Sequence, residues 1–261
     1  MINNKKFAVA LSGGASLGFA HLGFLKCLEE YDLIPDIISG TSAGALIGGA
    51  YAMGMPIKEI EDRVINFNKS EIIDVKFVPF FNESLLSSKK VDKFLQSIYG
   101  NVKINECKIK FIPTAVNITK KQIKYFTAGY LWQTIRASIA VPSIFMPFKI
   151  GKFRYIDGGV MDNIPTSILY KFKPDIVIAV NVINYDKVVI EAKNILHSLM
   201  NAMTLSQKEL VRIKTKANFI LNLDLNKVNM MAFKKEDSIE NIRLGYEQTK
   251  ENIEKIKALF N

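Results

Sequence analysis

The segment Ser39-Gly-Thr-Ser-Ala-Gly-Ala-Leu46 places Gly40-x-Ser42-x-Gly44 between an apolar run of strand character and a run of small residues with helical character. A serine on so sharp a strand-to-helix turn has its hydroxyl pushed out at the carboxyl end of a sheet, where it can attack an acyl carbon. Gly40, Ala43 and Gly44 are small enough for the two elements to approach closely. The helix that follows offers its N-terminus to developing negative charge. The plainer reading is that these residues merely allow tight strand–helix packing, with Ser42 as a cap.

A serine nucleophile needs a base, and the chain has only two histidines. His21 precedes the serine on a helical stretch and reads as a packed or surface histidine. His197 follows it in Asn-Ile-Leu-His-Ser-Leu-Met, without a catalytic-type turn, so a Ser-His-Asp triad rests on geometry alone. A carboxylate is the other candidate. Arg-Tyr-Ile-Asp-Gly-Gly-Val-Met-Asp-Asn-Ile-Pro sets Asp157 at the end of a short apolar segment, before Gly158 and Gly159. Asp162 competes for the role, but Asp162-Asn163 ahead of Pro165 reads as a turn. An aspartate is a weak base for a hydroxyl by its solution pKa. It serves only with a short hydrogen bond, partial desolvation and a strong oxyanion hole.

The oxyanion donors are sought in Phe7 to Gly23, where an apolar segment meets Gly13-Gly14-Ala15-Ser16 and then helical spacing. Backbone N–H groups at such a turn bind an oxyanion or a nucleotide phosphate equally well. A dinucleotide site requires Gly-x-Gly-x-x-Gly with an acid near the end of the second strand. Here Ala15 stands at the second glycine, and Asp36 lies at the beginning of that strand. The phosphate reading is therefore the weaker one.

The elements that position these residues are read from periodicity. Lys6–Ser12, Asp36–Gly40 and Asp175–Val182 read as short buried strands. Lys110–Ile118 and Gln122–Phe126 are two further strands, with Asn218–Leu225 as a last one. Helices are expected from Gly18 to about Pro35, from the elbow to about Gly54, over Tyr130–Ala140, in the stretch after Pro165, and over roughly 188–215 and 237–260. Strand, helix, strand, helix at the start argues for a parallel α/β sheet. No repeat or linker divides the chain, so residues 1–261 are expected to form one domain. Its motif-bearing core spans about 6–182, with C-terminal helices and the last strand over about 186–261.

Composition bounds the partners. Apolar residues make up 49% of 261 residues, enough for a substantial core, and the formal net charge is +10. That charge suits anionic lipid or nucleic acid, but no nucleic-acid signature accompanies it, so none is expected to bind. Cys27 and Cys107 lack metal-ligand or disulfide-framework spacing, which points to a reducing compartment and no metal site. No apolar run is long enough for a transmembrane helix. The expected location is cytoplasmic, with peripheral contact at the inner face of the membrane as the alternative. The Lys120–Lys124 run could face anionic lipid but reads first as a solvated edge. Lys76–Leu86, rich in phenylalanine, reads as packed core, with a lid or membrane-touching loop as the alternative.

Taken in order, Leu11-Ser-Gly-Gly-Ala-Ser-Leu-Gly18, the elbow, Arg136-Ala-Ser-Ile-Ala-Val-Pro-Ser-Ile-Phe-Met-Pro-Phe148 and the Asp157 turn resemble the patatin-like phospholipase family of lipid acyl hydrolases. The resemblance implies a three-layer α/β/α sandwich with a central, mostly parallel sheet. It implies a Ser42–Asp157 dyad, an oxyanion loop at Gly13, Gly14, Ala15 and Ser16, and supporting roles for Gly18, Gly40, Ala43, Gly44, Gly158 and Gly159. It also implies lipid or acyl-ester substrates and no cofactor, and suggests that the Ala137–Phe148 stretch lies beside the acyl cleft, although ordinary core is the plainer reading for most of it. Oligomeric state stays open. The chain departs from the family's usual Gly-Gly-Gly-x-Arg/Lys-Gly at Ala15 and Leu17. Ala15 still carries an N–H, which serves if the backbone there does not demand positive φ. Leu17 replaces the usual cation with an apolar side chain. An acyltransferase would use the same residues, and a non-catalytic lipid binder could keep the same fold.

Overall fold

The computed structural model describes residues 5–67, 88–142, 144–187, 195–225 and 233–261. The short apolar runs become the middle of one eight-stranded sheet in the order β5-β6-β3-β2-β1-β7-β8, with β4 paired to β3. β1 (Phe7–Leu11), β2 (Ile37–Thr41) and β7 (Ile176–Asn181) are buried along their whole length. Continuous apolar sequence is what a strand covered on both faces requires. β1 pairs in parallel with β2 and β7, β2 with β3 (Lys110–Asn117), and β7 with β8 (Phe219–Asn222).

At the carboxyl edge the topology changes. β2 stops at Thr41, paired with Thr114, while β3 runs on to Asn117. The overhang is held by two antiparallel neighbours, β4 (Gln122–Tyr125) and β6 (Phe153–Asp157). β5 (Phe148–Ile150) closes a second hairpin on β6. This puts Asp157 opposite Ala115, one residue beyond the level of Thr41.

The three layers are uneven. Side chains of Val9, Leu11, Ile38, Phe111 and Ile178 point into the larger core with α1 (Ala20–Glu30), α2 (Ala43–Ala52), α3 (Ile57–Ile65), α4 (Ser88–Tyr99), α5 (Leu131–Ser138) and α7 (Lys235–Glu251). Their neighbours Ala8, Ala10, Ile37, Ile112 and Val177 face a thinner layer of Ile164, Ile168 and Leu169, backed by Val211 of α6 (Ile195–Lys214).

Several boundaries differ from the sequence expectation. A short 3-10 turn over Ala15–Phe19 precedes α1, because Leu17 N–H closes back on Gly14 C=O at 3.1 Å. The stretch after Pro165 forms only a 3-10 turn, Leu169–Phe172, ending at Lys173 with φ 50°. The terminal helix breaks into α7 and α8 (Ile253–Ala258) at Asn252, whose side-chain amide donates to Gln248 C=O at 2.9 Å. Such local bonding of asparagine to backbone competes with helix continuation. Helices α3 and α4 had not been expected, although Ile57, Ile60 and Val64, then Val91, Leu95 and Ile98, carry helical spacing. Lys76–Leu86 lies outside the described residues.

Candidate active site

The elbow forms at the end of β2. Ser42 has φ 53° and ψ −118°, a left-handed conformation in which a non-glycine residue is strained. Small neighbours make the turn sterically feasible. A Cβ on Gly40 would sit 2.6 Å from Gly44 C=O, and one on Gly44 would sit 2.4 Å from Leu11 C=O. Ser42 C=O accepts from Ala45 and Leu46 N–H, which starts α2 directly behind the hydroxyl. Below the elbow, the Ser39 hydroxyl donates to Pro165 C=O and the Thr41 hydroxyl to Asp162 C=O, at 2.8 and 2.9 Å.

Ser42 N–H donates to the Ser138 hydroxyl at 2.9 Å, and that hydroxyl donates to Thr114 C=O at 2.6 Å. Ser138 is completely buried at the end of α5. Two residues earlier, buried Arg136 donates to Asp92 of α4 at 2.8 Å and stacks on Phe145 and Phe148. α5 thus fixes the Ser42 backbone to β3, the strand that pairs with β6. Sequence reading assigned neither Ser138 nor Arg136 a role, because each acts across about a hundred and about forty residues, respectively.

Asp157 ends β6, buried, with its N–H donating to Ala140 C=O at 2.9 Å. Gly159 N–H donates to Asp157 Oδ1 at 2.7 Å. Burial pushes the carboxyl up to about 6, against the lowering effect of the Ser42 hydroxyl and the Gly159 N–H. The Ser42 contact is close enough to stabilise the carboxylate, yet Oδ2 has no partner with full hydrogen-bond geometry. Loose contacts of this kind are common in unliganded catalytic pairs. The competing acid, Asp162, is also buried and also raised to about 6 by burial, but its Oδ2 accepts from Tyr125 OH at 2.6 Å. It clamps the elbow from below through its backbone carbonyl. His21 is a core residue. Its Nε2–H donates to Ser12 C=O at 2.8 Å, and burial lowers its pKa to about 4, so it is neutral. His197 lies on α6.

The glycine-rich turn stands beside the elbow, a Cβ on Gly13 falling 3.2 Å from Ser42 Cβ. Its four expected donors are not equivalent. Gly13 N–H is committed to Asn163 C=O at 3.2 Å. Ser16 is buried, and its C=O accepts from Asn241 of α7 at 3.0 Å. Gly14 and Ala15 have no acceptor for their N–H groups among the described residues. Ala15 adopts φ 49°, so the position does demand the left-handed backbone that glycine would take without strain. Leu17 is buried in the larger core, and Gly18 lies under Ala43, where a Cβ would sit 2.3 Å from the alanine Cβ. Gly158 packs on Thr114 C=O in the same way.

An apolar cavity of about 240 Å³ opens from Ser42 and Ala15, between α2, α3 and α4. Ile139, Val141, Ile144 and Phe145 line one side, so this stretch borders the cleft as well as contributing core. Tyr99 OH donates to Leu46 C=O at 2.7 Å and holds α4 against α2. No group of metal-ligating side chains occurs among the described residues.

The sequence profile of patatin-like phospholipases matches residues 9–170, more than half of the chain and every element of this site up to Asp157. The chain belongs to the patatin-like phospholipase family. It is similar to the lysophospholipases NTE1 of Scheffersomyces stipitis, 29% identical over 188 residues and 70% of this chain, and of Candida albicans, 29% identical over 189 residues and 71% of this chain. The chain spans only 12% and 14% of the length of those two relatives. Among solved structures, VipD from Legionella pneumophila matches 96% of this chain and 67% of its own, with TM-score 0.59 and 17% identity. The type III effector ExoU matches 97% of this chain and 53% of its own, with TM-score 0.52 and 15% identity. At those identities the likeness is one of fold, and it agrees with the mostly parallel, helix-flanked sheet. No helix among the described residues is long and apolar enough to cross a membrane.

Proposed function

We propose that this patatin-like chain is a serine lipid acyl hydrolase in which Ser42 is the nucleophile and Asp157 its base. The observation that carries this reading is the strained Ser42 elbow, in reach of a buried carboxylate and at the mouth of an apolar cavity. The ester's acyl chain lies in the cavity and its carbonyl carbon meets Ser42 Oγ. Asp157 takes the hydroxyl proton as the C–O bond forms, and the raised pKa of the buried acid suits it to that transfer. The tetrahedral oxyanion is held by the Gly14 and Ala15 N–H groups and by the N-terminus of α2. Collapse expels the alcohol with the proton from Asp157, leaving acyl-Ser42. Water, activated by the same carboxylate, then releases the fatty acid.

The apolar cavity that opens at Ser42 and the lysophospholipase names of the relatives support monoacyl phospholipids as substrates. Release of free fatty acid from lysophosphatidylcholine by the wild-type chain, absent in Ser42→Ala, is the expected result. Ester product with an added acceptor alcohol, in place of free acid, would identify an acyltransferase. No turnover of any acyl ester would contradict the proposal.

A further inference from the structure

From residue 107 to residue 156 the chain contains no aspartate or glutamate. Six cations of that stretch, Lys120, Lys121, Lys124, Lys149, Lys152 and Arg154, lie on two adjoining hairpins, β3–β4 and β5–β6. None of the six forms an ion pair with any described residue, whereas Lys58, Lys208, Arg243 and Lys257 elsewhere all do.

The two hairpins form one platform. Ile118 N–H donates to Arg154 C=O and Arg154 N–H to the Thr119 hydroxyl, each at 3.0 Å. The Lys120 and Lys152 ammonium groups approach the ring of Phe153, at 4.9 and 5.6 Å from its centroid. Lys120, Lys121, Lys149, Lys152 and Arg154 are exposed, as is the apolar Ile118 at 38%. At the tip, Gly151 with φ 59° faces open space, since a Cβ there would meet nothing within 4 Å.

The placement of this platform is set by the sheet. β2 ends at Thr41, and Ser42 follows, whereas β3 and β6 continue beyond that level. Phe153 lies four residue steps from Asp157, so at ~3.3 Å per step the tips overhang Ser42 and Asp157 by about 13 Å. The overhang, the Ser42 elbow and the apolar cavity therefore share the carboxyl edge.

We infer that the paired hairpin tips form a docking surface for an anionic phospholipid bilayer, holding the Ser42 edge at the headgroup level. The inference rests on the acyl-hydrolase reading for its choice of lipid over other polyanions. Unpaired lysines near a negatively charged leaflet each contribute favourably and additively, within a Debye length. The surrounding stretch has no carboxylate to oppose them. Ile118 and the Phe153 ring add an apolar component at the same level.

The test is cosedimentation of the wild-type chain with vesicles of phosphatidylcholine alone and of equal phosphatidylcholine and phosphatidylglycerol. Hydrolysis of a soluble short-chain p-nitrophenyl ester is measured alongside. Wild-type chain binds the anionic vesicles only, and more weakly as salt rises. The triple variant Lys120→Gln, Lys121→Gln, Lys152→Gln loses on the order of 100-fold in vesicle affinity and keeps its hydrolysis of the soluble ester. A matched variant, Lys58→Gln, Lys208→Gln, Lys257→Gln, removes the same charge from ion pairs and binds as wild type does. Equal loss in the two triple variants, or unchanged binding by the first, would overturn the inference. So would preferential binding of single-stranded DNA over anionic vesicles through the same three lysines. Vesicle binding through these lysines with no ester turnover would uphold the surface and overturn the acyl-hydrolase reading instead.

Discussion

Ser42 and Ala15 both line the mouth of one cavity, and both have positive φ, at 53° and 49°. In the proposed mechanism the strain at Ser42 has a use. It presents the hydroxyl to Asp157, while the Ser42 N–H is taken up by the Ser138 hydroxyl. At Ala15 the methyl group has no such use in that mechanism, because the N–H is what an oxyanion needs. Glycine would present that N–H without the strain. A left-handed residue beside a cavity is therefore a marker of function only when its side chain is what the conformation delivers.

Changes at the Ser42 side should have the largest effects. Asp157→Asn keeps the shape of the acid but removes the base, and kcat should fall by about 10²–10⁴-fold. The same variant should melt at a higher temperature than wild type at pH 8. Asp157 and Asp162 both titrate near pH 6 in the folded chain, above the ordinary 3.8. Folding therefore takes up protons between those values, so stability falls as pH rises through that window and levels off above about 6. A burial penalty on a charged base is removed by the neutral amide. Equal melting temperatures at pH 8 would show that Asp157 is not raised by burial.

Ser138→Ala should come next. It leaves Ser42 N–H and Thr114 C=O without their buried partner, and kcat should fall roughly 10- to 100-fold with KM little changed. Ser138→Thr should restore most of the rate. A change in KM alone, or in melting temperature alone, would assign Ser138 to packing.

The pH profile is a subtler test. kcat/KM should decline below about pH 6 as Asp157 becomes protonated, and Asp157→Asn should abolish that limb. The smallest effect belongs to Ala15→Gly, which should stabilise the chain by about 0.5–1 kcal/mol in denaturant titration and change kcat by only a few-fold. Loss of stability there would mean that the methyl group packs usefully, and the contrast with Ser42 would fail.

Much of the fold is legible in the sequence. Buried strands such as Phe7–Leu11 and the Ile176–Val180 stretch of β7 announce themselves by unbroken apolar sequence, and the elbow by small residues around one serine. The lining of the cavity was less visible. α3 and α4 carry clear helical spacing, but nothing local says that Ile60, Val64 and Leu95 line the cavity that opens at Ser42. Ser138 and Asn241 act over long stretches of chain, through hydrogen bonds to Ser42 N–H and Ser16 C=O that leave no pattern in sequence. Nor could spacing tell that Gly13 N–H is used by Asn163, whereas the Gly14 and Ala15 N–H groups have no acceptor among the described residues.

The central claim is that Ser42 is activated by Asp157. Fluorophosphonate labelling of the whole chain, followed by peptide mapping, tests it most directly. The expected result is one adduct, on Ser42, formed at least about 100-fold more slowly in Asp157→Asn. No adduct on Ser42, or one that forms at the same rate without Asp157, would contradict it.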